Sequence, residues 1–209
     1  MINETKHVWA VGRNYKAHAE EMKAELPTVP MIFLKGGGTV TSDKNIKLPD
    51  WIIDVHHELE LILKLDNNLE ISHIGIALDL TERHFQTQAK QNGTPWTLAK
   101  SFKNSCPISP LLDLQSLKIN NFSELRIELY IHNQLKQKGD ISHLIFDITT
   151  LKKYILTHFP VEPNDLILTG TPAGVGSIQR GDQLNGLLIQ KSQNETENRI
   201  LINHSWKFN

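Results

Sequence analysis

Cysteine is nearly absent from this sequence, and so are long hydrophobic runs. Cys106 is the only cysteine among 209 residues, which excludes an internal disulfide framework and any zinc or iron–sulfur site built from several cysteines. No stretch approaches the roughly 20 apolar residues of a membrane span, and residues 1–14 contain no apolar segment of signal-peptide length. We therefore expect a cytoplasmic protein with no membrane partner.

An excess of one charge is also missing. The chain has 22 basic and 23 acidic residues, mixed along its length, so that no field of one sign would attract nucleic acid. With 12 glycines, 9 prolines and 39% hydrophobic residues, the composition is that of a folded globular protein. Because there is no linker, repeat or low-complexity segment, we expect one domain over residues 1–209.

Short apolar and β-branched runs recur between Gly, Pro, Asn and Asp, and few segments have helical periodicity. The pattern predicts a β-rich α+β fold. We expect strands at 8–11, 31–34, 57–65, 126–131, 166–169, 184–190 and 200–203, and helices at 15–25, 81–90 and 149–158, the second capped at or near Thr81.

Three carboxylates are candidate metal ligands. Glu58 and Glu60 are two apart on a predicted strand, so both side chains leave the same face, although this pair alone favours a solvated strand face. Asp79 lies in an apolar run at 74–80, where a carboxylate needs a partner, a metal ion or a helix N-terminus to cap. Together they would offer hard oxygen ligands, which suit Mg²⁺, Mn²⁺ or Ca²⁺.

Two further sets of residues are open to two interpretations. His18 and Glu21 are three apart on a predicted helix and form either a general base with its orienting carboxylate or an exposed ion pair. Lys35 and Lys100 are either anion-binding groups or surface lysines with buried stems.

The glycine-rich stretches have no phosphate-binding pattern. Residues 170–176 lack both the Walker ending and the third glycine of the dinucleotide fingerprint, which predicts a tight loop of close approach. Residues 36–38 predict an ordinary turn or a hinge. Cys106 has no motif around it and is interpreted as a structural thiol.

Six motifs occur in an order that resembles the fumarylacetoacetate hydrolase superfamily, in particular its short acylpyruvase and oxaloacetate decarboxylase-like members. They are VGRNY at 11–15 followed by His18 and Glu21, FLK at 33–35, HELEL at 57–61, LDLT at 78–81 with Arg83, PWTLAKSF at 95–102, and LTGTPAGVG at 168–176. The resemblance covers nearly the whole chain, and six ordered motifs are far more specific than any one of them.

The resemblance implies a mixed β-sandwich roll, usually homodimeric, that binds Mg²⁺ or Mn²⁺. It assigns Glu58, Glu60 and Asp79 as metal ligands and His18, Glu21 and Lys100 as catalytic residues, the first two on a lid segment. It also assigns substrate-lining positions, which are Arg83, Gln86, Thr171 and, nearby, Lys35.

The implied activity is metal-dependent hydrolysis of the C–C bond in acylpyruvate-type β-diketo acids, which leaves a metal-bound pyruvate enolate. The same enolate would serve an oxaloacetate decarboxylase or tautomerase, or an isomerase or decarboxylase of an unsaturated dioxo acid in aromatic degradation. A non-enzymatic metal-binding module is the remaining alternative.

Two positions depart from the family pattern. Gly36 stands where similar proteins commonly have proline, and His84 stands where an aspartate is usual. We expect the first to loosen the segment that carries Lys35, and the second to alter the orientation of Arg83.

Overall fold

Strands dominate the computed structural model, which describes residues 4–21, 25–119, 121–192 and 197–209. The strands are β1 (His7–Gly12), β2 (Met31–Gly36), β3 (Val40–Thr41), β4 (Asn45–Ile46), β5 (Val55–His57), β6 (Leu59–Leu65), β7 (Ile71–Leu78), β8 (Thr81–Glu82), β9 (Cys106–Pro107), β10 (Leu112–Asp113), β11 (Leu125–Ile131), β12 (Gln134–Asp140), β13 (Leu166–Leu168), β14 (Gly176–Ser177), β15 (Gln183–Gln190) and β16 (Arg199–Phe208). The α-helices are α1 (Lys16–Glu21), α2 (Arg83–Asn92), α3 (Thr97–Lys100) and α4 (Ile148–His158). Short 3-10 turns occur at Gly37–Thr39, Leu114–Ser116, Phe122–Glu124 and Ile141–His143.

Two sheets form the body of the protein. The first has six strands in the order β10-β7-β6-β13-β1-β2, and the second has five in the order β12-β11-β15-β16-β4. Smaller sheets, β14-β5-β8 and β3-β9, lie beside them. The pairing is mixed, since β1 runs parallel to β13 and antiparallel to β2. The predicted β-rich α+β fold is confirmed.

Strand β6 shows how alternation of side chains builds the interior. Leu61 and Leu63 face the main core between the two sheets, where they join residues such as Leu188 of β15 and Trp206 of β16. Ile62 points the other way, into a smaller cluster with Ala10 and other residues of β1 and β13. Strand β6 is therefore buried on both faces, which puts the carboxylates beside it inside the protein.

The predicted strand at 57–65 is interrupted at Glu58. Its carbonyl group keeps the register of β6 with β7, in which Leu59 lies opposite Leu78, because Asp79 N–H donates to Glu58 O at 2.8 Å. Leu59 N–H donates to the side chain of Gln137 at 2.9 Å. For Leu59 N–H, a side chain 78 residues away thus takes the place of a backbone partner, and sequence periodicity cannot anticipate this bond.

The helices mostly lie where they were predicted, with differences at their ends. Helix α2 begins two residues later than expected, because Thr81 pairs with β5 and the capping residue is Glu82, whose carboxylate accepts from Phe85 N–H at 2.6 Å. Of the predicted helix at 15–25, residues 22–24 lie outside the described part, and Glu25 is not helical. No helix in the described ranges has the length and apolarity needed to cross a membrane.

Candidate active site

The three predicted carboxylates converge in the interior. Glu58 lies between β5 and β6, Glu60 lies in β6, and Asp79 follows β7, which pairs antiparallel with β6. One oxygen from each carboxylate lies within 4.8 Å of the other two, and all three side chains are buried. The solvated strand face is therefore wrong for this pair of glutamates, and Asp79 does not cap α2.

The pKa values of the two glutamates in this cluster are shifted in opposite directions. Burial alone would raise the pKa of Glu58, but the ammonium group of Lys100 and the guanidinium of Arg83 hold that pKa at about 2. Burial and the adjacent Asp79 raise the pKa of Glu60 well above its ordinary value, although Gly170 N–H donates to its carboxylate at 2.6 Å. The charged form of Glu60 therefore needs further positive charge beside it to be stable. Three converging carboxylate oxygens fit a hard divalent cation.

Two buried lysines lie among these carboxylates. Lys100 Nζ is 2.8 Å from Glu58 and 2.5 Å from Asp79, and Lys35 Nζ is 2.6 Å from the other oxygen of Asp79. Both side chains are almost completely buried, so the interpretation as surface lysines is wrong for both. Burial lowers the pKa of Lys100, but Asp79 and Glu58 more than reverse this effect, and its pKa is raised. Lys100 already neutralises the cluster in part and would lie next to any bound cation.

Arg83 and Gln86 project from the first turns of α2. Arg83 donates to Glu58 at 2.8 Å and to Gln86 Oε1 at 2.6 Å, and Lys90 donates to the same Oε1 at 3.3 Å. Because the amide oxygen accepts from two cations, the Nε2 group of Gln86 is left with its donors available to a ligand. Arg83, Gln86 and Lys90 occur at i, i+3 and i+7, so they share one face of the helix.

His18 and Glu21 are also in contact. His18 Nδ1 lies 3.2 Å from the Glu21 carboxylate, and His18 is buried while Glu21 is partly exposed. An exposed ion pair therefore does not describe His18. Gly174 N–H donates to Glu21 at 3.1 Å, which connects α1 to the glycine-rich loop. A carboxylate can only accept, so the neutral ring carries its proton on Nδ1 and leaves Nε2 free to accept one.

The glycine-rich loop approaches other backbone closely, as predicted. Gly170 and Gly174 have φ of 97° and 95°, values that favour glycine. A Cβ atom on Gly174 would come within 1.9 Å of Lys136 O, and one on Gly170 would come within 2.7 Å of Asn14 Cβ. The two N–H groups that reach Glu60 and Glu21 therefore depend on glycine at both positions.

Sequence reasoning did not identify Gln137, although this side chain holds the site together. It is almost completely buried, and its Oε1 accepts from Leu59 N–H at 2.9 Å and lies 3.1 Å from His57 Nδ1. Its Nε2 donates to Thr171 Oγ1 at 2.8 Å and to Pro172 O at 2.9 Å. Thr171 Oγ1 in turn donates to Leu59 O at 2.9 Å, so its proton is not available to a ligand. A lone glutamine in an alternating strand has no sequence signal for this role.

A single pocket collects most of the predicted site residues. Its walls comprise Val11, Gly12, Arg13, His18, Met31, Phe33, Glu58, Glu60, Asp79, Arg83, Gln86, Lys90, Trp96, Lys100 and Thr171. Lys35 lies behind Asp79 and is not part of the wall, so its assignment as a substrate-binding residue stays a prediction. The sequence predicted no role for Arg13 or Lys90, although Arg13 belongs to a family motif and Lys90 shares the helix face of Arg83.

The two departures from the family pattern have local explanations. Gly36 N–H donates to Ser101 Oγ at 3.0 Å, a bond that a proline at this position would lack. His84 is exposed, contacts Gln88 and packs edge-on against Phe85, so it does not orient Arg83. The expected effect of His84 on Arg83 is not seen in the structure.

Comparison with known proteins shows the family of the chain. The chain is 34% identical over 190 residues to a mitochondrial oxaloacetate tautomerase of Bos taurus, a match that covers 86% of this chain and 85% of the relative. It is 36% identical over 188 residues to a mitochondrial oxaloacetate decarboxylase of Dictyostelium discoideum, covering 84% and 85%. A crystal structure of Pseudomonas aeruginosa fumarylpyruvate hydrolase with Mn²⁺ and pyruvate is similar, with a TM-score of 0.84, 27% identity and coverage of 98% and 89%. The model of the fumarylacetoacetate (FAA) hydrolase C-terminal family matches residues 7–199, and the chain belongs to that family.

Proposed function

We propose that the protein is a divalent-metal-dependent enzyme that converts oxaloacetate by way of its enolate, as a tautomerase or decarboxylase. The observation that carries this proposal is the convergence of three buried carboxylates with Lys100 and His18 on one pocket. The similarity to relatives named for oxaloacetate supports the choice of substrate. Glu58, Glu60 and Asp79 would hold Mg²⁺ or Mn²⁺.

The expected role of a bound divalent cation is to polarise the C2 carbonyl of the substrate, which acidifies the protons on C3. The Lys100 ammonium group lies among the same carboxylates and would donate a hydrogen bond to the oxygen on which negative charge develops. Gln86 Nε2 would orient the C1 carboxylate from the wall of the pocket.

Proton transfer falls to His18. With Nδ1–H held by Glu21, Nε2 can remove a proton from C3 of the keto form. A proton delivered to the C2 oxygen then gives the enol, and the reverse steps return the keto form. In decarboxylation the C3–C4 bond breaks instead and C4 leaves as CO₂. His18 would then take a proton from solvent on Nε2 and deliver it to C3 of the product enolate. Glu21 keeps the ring oriented because Gly174 N–H fixes its carboxylate.

A test compares turnover of oxaloacetate by EDTA-treated protein before and after addition of Mg²⁺ or Mn²⁺, following enol content and pyruvate release. Activity should return with the metal ion in the wild type and in Glu128→Gln, a buried carboxylate of β11 that hydrogen-bonds to Tyr130 and does not line the pocket. Glu60→Gln should remain inactive at every metal concentration. Equal turnover with and without metal ion would contradict the proposal.

Hydrolysis of an acylpyruvate is the second candidate. The His18–Glu21 pair is the arrangement that activates a water molecule, and the hydroxide formed would attack the distal carbonyl and break the C–C bond. Similarity to fumarylpyruvate hydrolase also favours it. Acetylpyruvate assayed beside oxaloacetate distinguishes the two candidates, since a hydrolase would turn over acetylpyruvate faster.

Three further properties stay proposals. We propose one catalytic domain over residues 1–209, a homodimer and a cytoplasmic location. Light scattering of the purified protein would test the dimer.

A further inference from the structure

The pocket contains two positive groups that the reaction described above does not use. Arg13 and Lys90 both line it, as does Arg83. Lys90 Nζ lies 5.4 Å from the centre of the Trp96 ring and 3.3 Å from Gln86 Oε1. In the described part of the chain, no carboxylate lies within ion-pairing distance of either residue. Arg83, by contrast, is paired with Glu58.

The backbone presents Arg13 in an uncommon conformation. Its φ is 57°, in the left-handed region that few residues other than glycine adopt. The next residue, Asn14, is buried, and its side chain donates to Phe146 O and Thr169 O and accepts from Phe146 N–H. These bonds anchor the turn, so the pocket position of Arg13 is built into the fold.

Lys90 shares its surroundings with other cations. Although the residue as a whole is exposed, desolvation of its ammonium end lowers its pKa, and the guanidinium groups of Arg83 and Arg13 lower it further. An anion placed between Arg13 and Lys90 would relieve this repulsion.

The formal charges of the pocket indicate the charge of the substrate that it would bind. The wall has four cationic side chains, Arg13, Arg83, Lys90 and Lys100, against three carboxylates, so a bound divalent cation brings the pocket to a formal charge of +3. A substrate with one carboxylate would leave +2, and a dicarboxylate would leave +1. Lys35, behind the wall, adds another positive charge. The metal-loaded pocket thus favours a dianion.

We propose that Arg13 and Lys90 form a subsite for a second carboxylate, at the end of the substrate away from the metal site, and that they select 2-oxo diacids over 2-oxo monoacids. This inference rests on the proposed function, because it takes the first carboxylate and the oxo group to lie at the metal site. Arg13 offers a planar fork for two parallel bonds, and Lys90 offers a point charge beside it.

The test uses ligand pairs that differ only in the terminal group. 2-Oxoglutarate and 2-oxopentanoate have five carbons each and end in a carboxylate and a methyl group, and neither is a β-oxo acid that could decarboxylate. Calorimetry on the Mg²⁺-loaded protein measures the Kd of each, and kinetics measure KM and kcat for oxaloacetate. The variants are Arg13→Asn, chosen because asparagine tolerates positive φ, and Lys90→Gln. Matched controls are Arg180→Gln and Lys153→Gln, which remove the same charges outside the pocket.

The wild type should bind the diacid more tightly than the monoacid. Each pocket variant should weaken diacid binding and raise KM for oxaloacetate by about tenfold, as for loss of one charge-assisted hydrogen bond, while binding of the monoacid changes less than about twofold. The control variants should behave as the wild type. Equal weakening of diacid and monoacid, or no change in either, would overturn the subsite. A wild type that prefers the diacid but does not turn over oxaloacetate would instead overturn the proposed function and leave the subsite standing.

Discussion

Replacement of Gln137 by methionine should damage both the stability of the protein and its affinity for metal ions. Methionine has a similar length but cannot replace the amide, all four of whose hydrogen-bonding positions are occupied. The change would leave Leu59 N–H without its partner between the two glutamates that we propose as metal ligands. It would also release Thr171 Oγ1 and Pro172 O from β12.

The size of the effect follows from burial. A buried polar group left without a partner costs about 1–3 kcal/mol, and at least Leu59 N–H and Pro172 O lose theirs, so we expect a loss of about 3–5 kcal/mol. That is a large part of the roughly 5–15 kcal/mol by which most domains are stable. With a urea m-value of about 2–3 kcal/mol/M, the midpoint should fall by about 1–2 M. Loosening the support of the ligands should weaken Mg²⁺ binding by about tenfold or more.

Urea unfolding followed by circular dichroism, and calorimetric titration with Mg²⁺, measure the two effects. Gln134→Met is the matched control, because Gln134 begins the same strand but is exposed, and its free energy of unfolding should stay within about 0.5 kcal/mol of the wild type. A Gln137→Met protein with unchanged midpoint and unchanged Mg²⁺ affinity would refute the reasoning that this amide supports the site.

Three other changes test the electrostatics of the pocket. His18→Ala should lower kcat by about 10²–10⁴-fold with little change in the Kd for Mg²⁺, and an equal loss of both would show that His18 belongs to the metal site. Lys35→Met should lower the melting temperature in EDTA by the equivalent of about 3–5 kcal/mol, since it leaves the buried Asp79 carboxylate with one fewer partner, and Mg²⁺ should restore part of the loss. Glu60→Gln should stabilise the metal-free protein at pH 8, because the raised pKa of Glu60 makes its charged form unfavourable in the fold. This penalty disappears as Glu60 becomes protonated, so the gain in stability should shrink as the pH is lowered toward 4.5. A gain independent of pH in urea titrations would contradict the assignment.

Much of the fold was predictable because its signals are local. Alternation in β6 depends on neighbours within a few positions, and the glycines at 170 and 174 indicate a tight loop by their own residue type, whereas the cap of α2 is Glu82 and not the predicted Thr81. The six ordered motifs predicted the family, which the comparisons confirm. What periodicity could not supply was the break at Glu58, where the next residue, Leu59, donates its N–H to the side chain of the distant Gln137.

The candidate site likewise has a part that the sequence predicted and a part that it could not predict. The sequence by itself predicted which side chains would carry the chemistry, because the carboxylates at 58, 60 and 79 and the His18–Glu21 pair occur within ordered family motifs, although each pattern taken alone also fitted a solvated face, a helix cap or an exposed ion pair. Only the tertiary structure decided that Lys35 lies behind Asp79, that Gln137 supports the start of β6, and that Arg13 and Lys90 line the same pocket. The physical reason is that burial and charge pairing are sums over residues far apart in the chain, which meet only when the two sheets and α2 pack together.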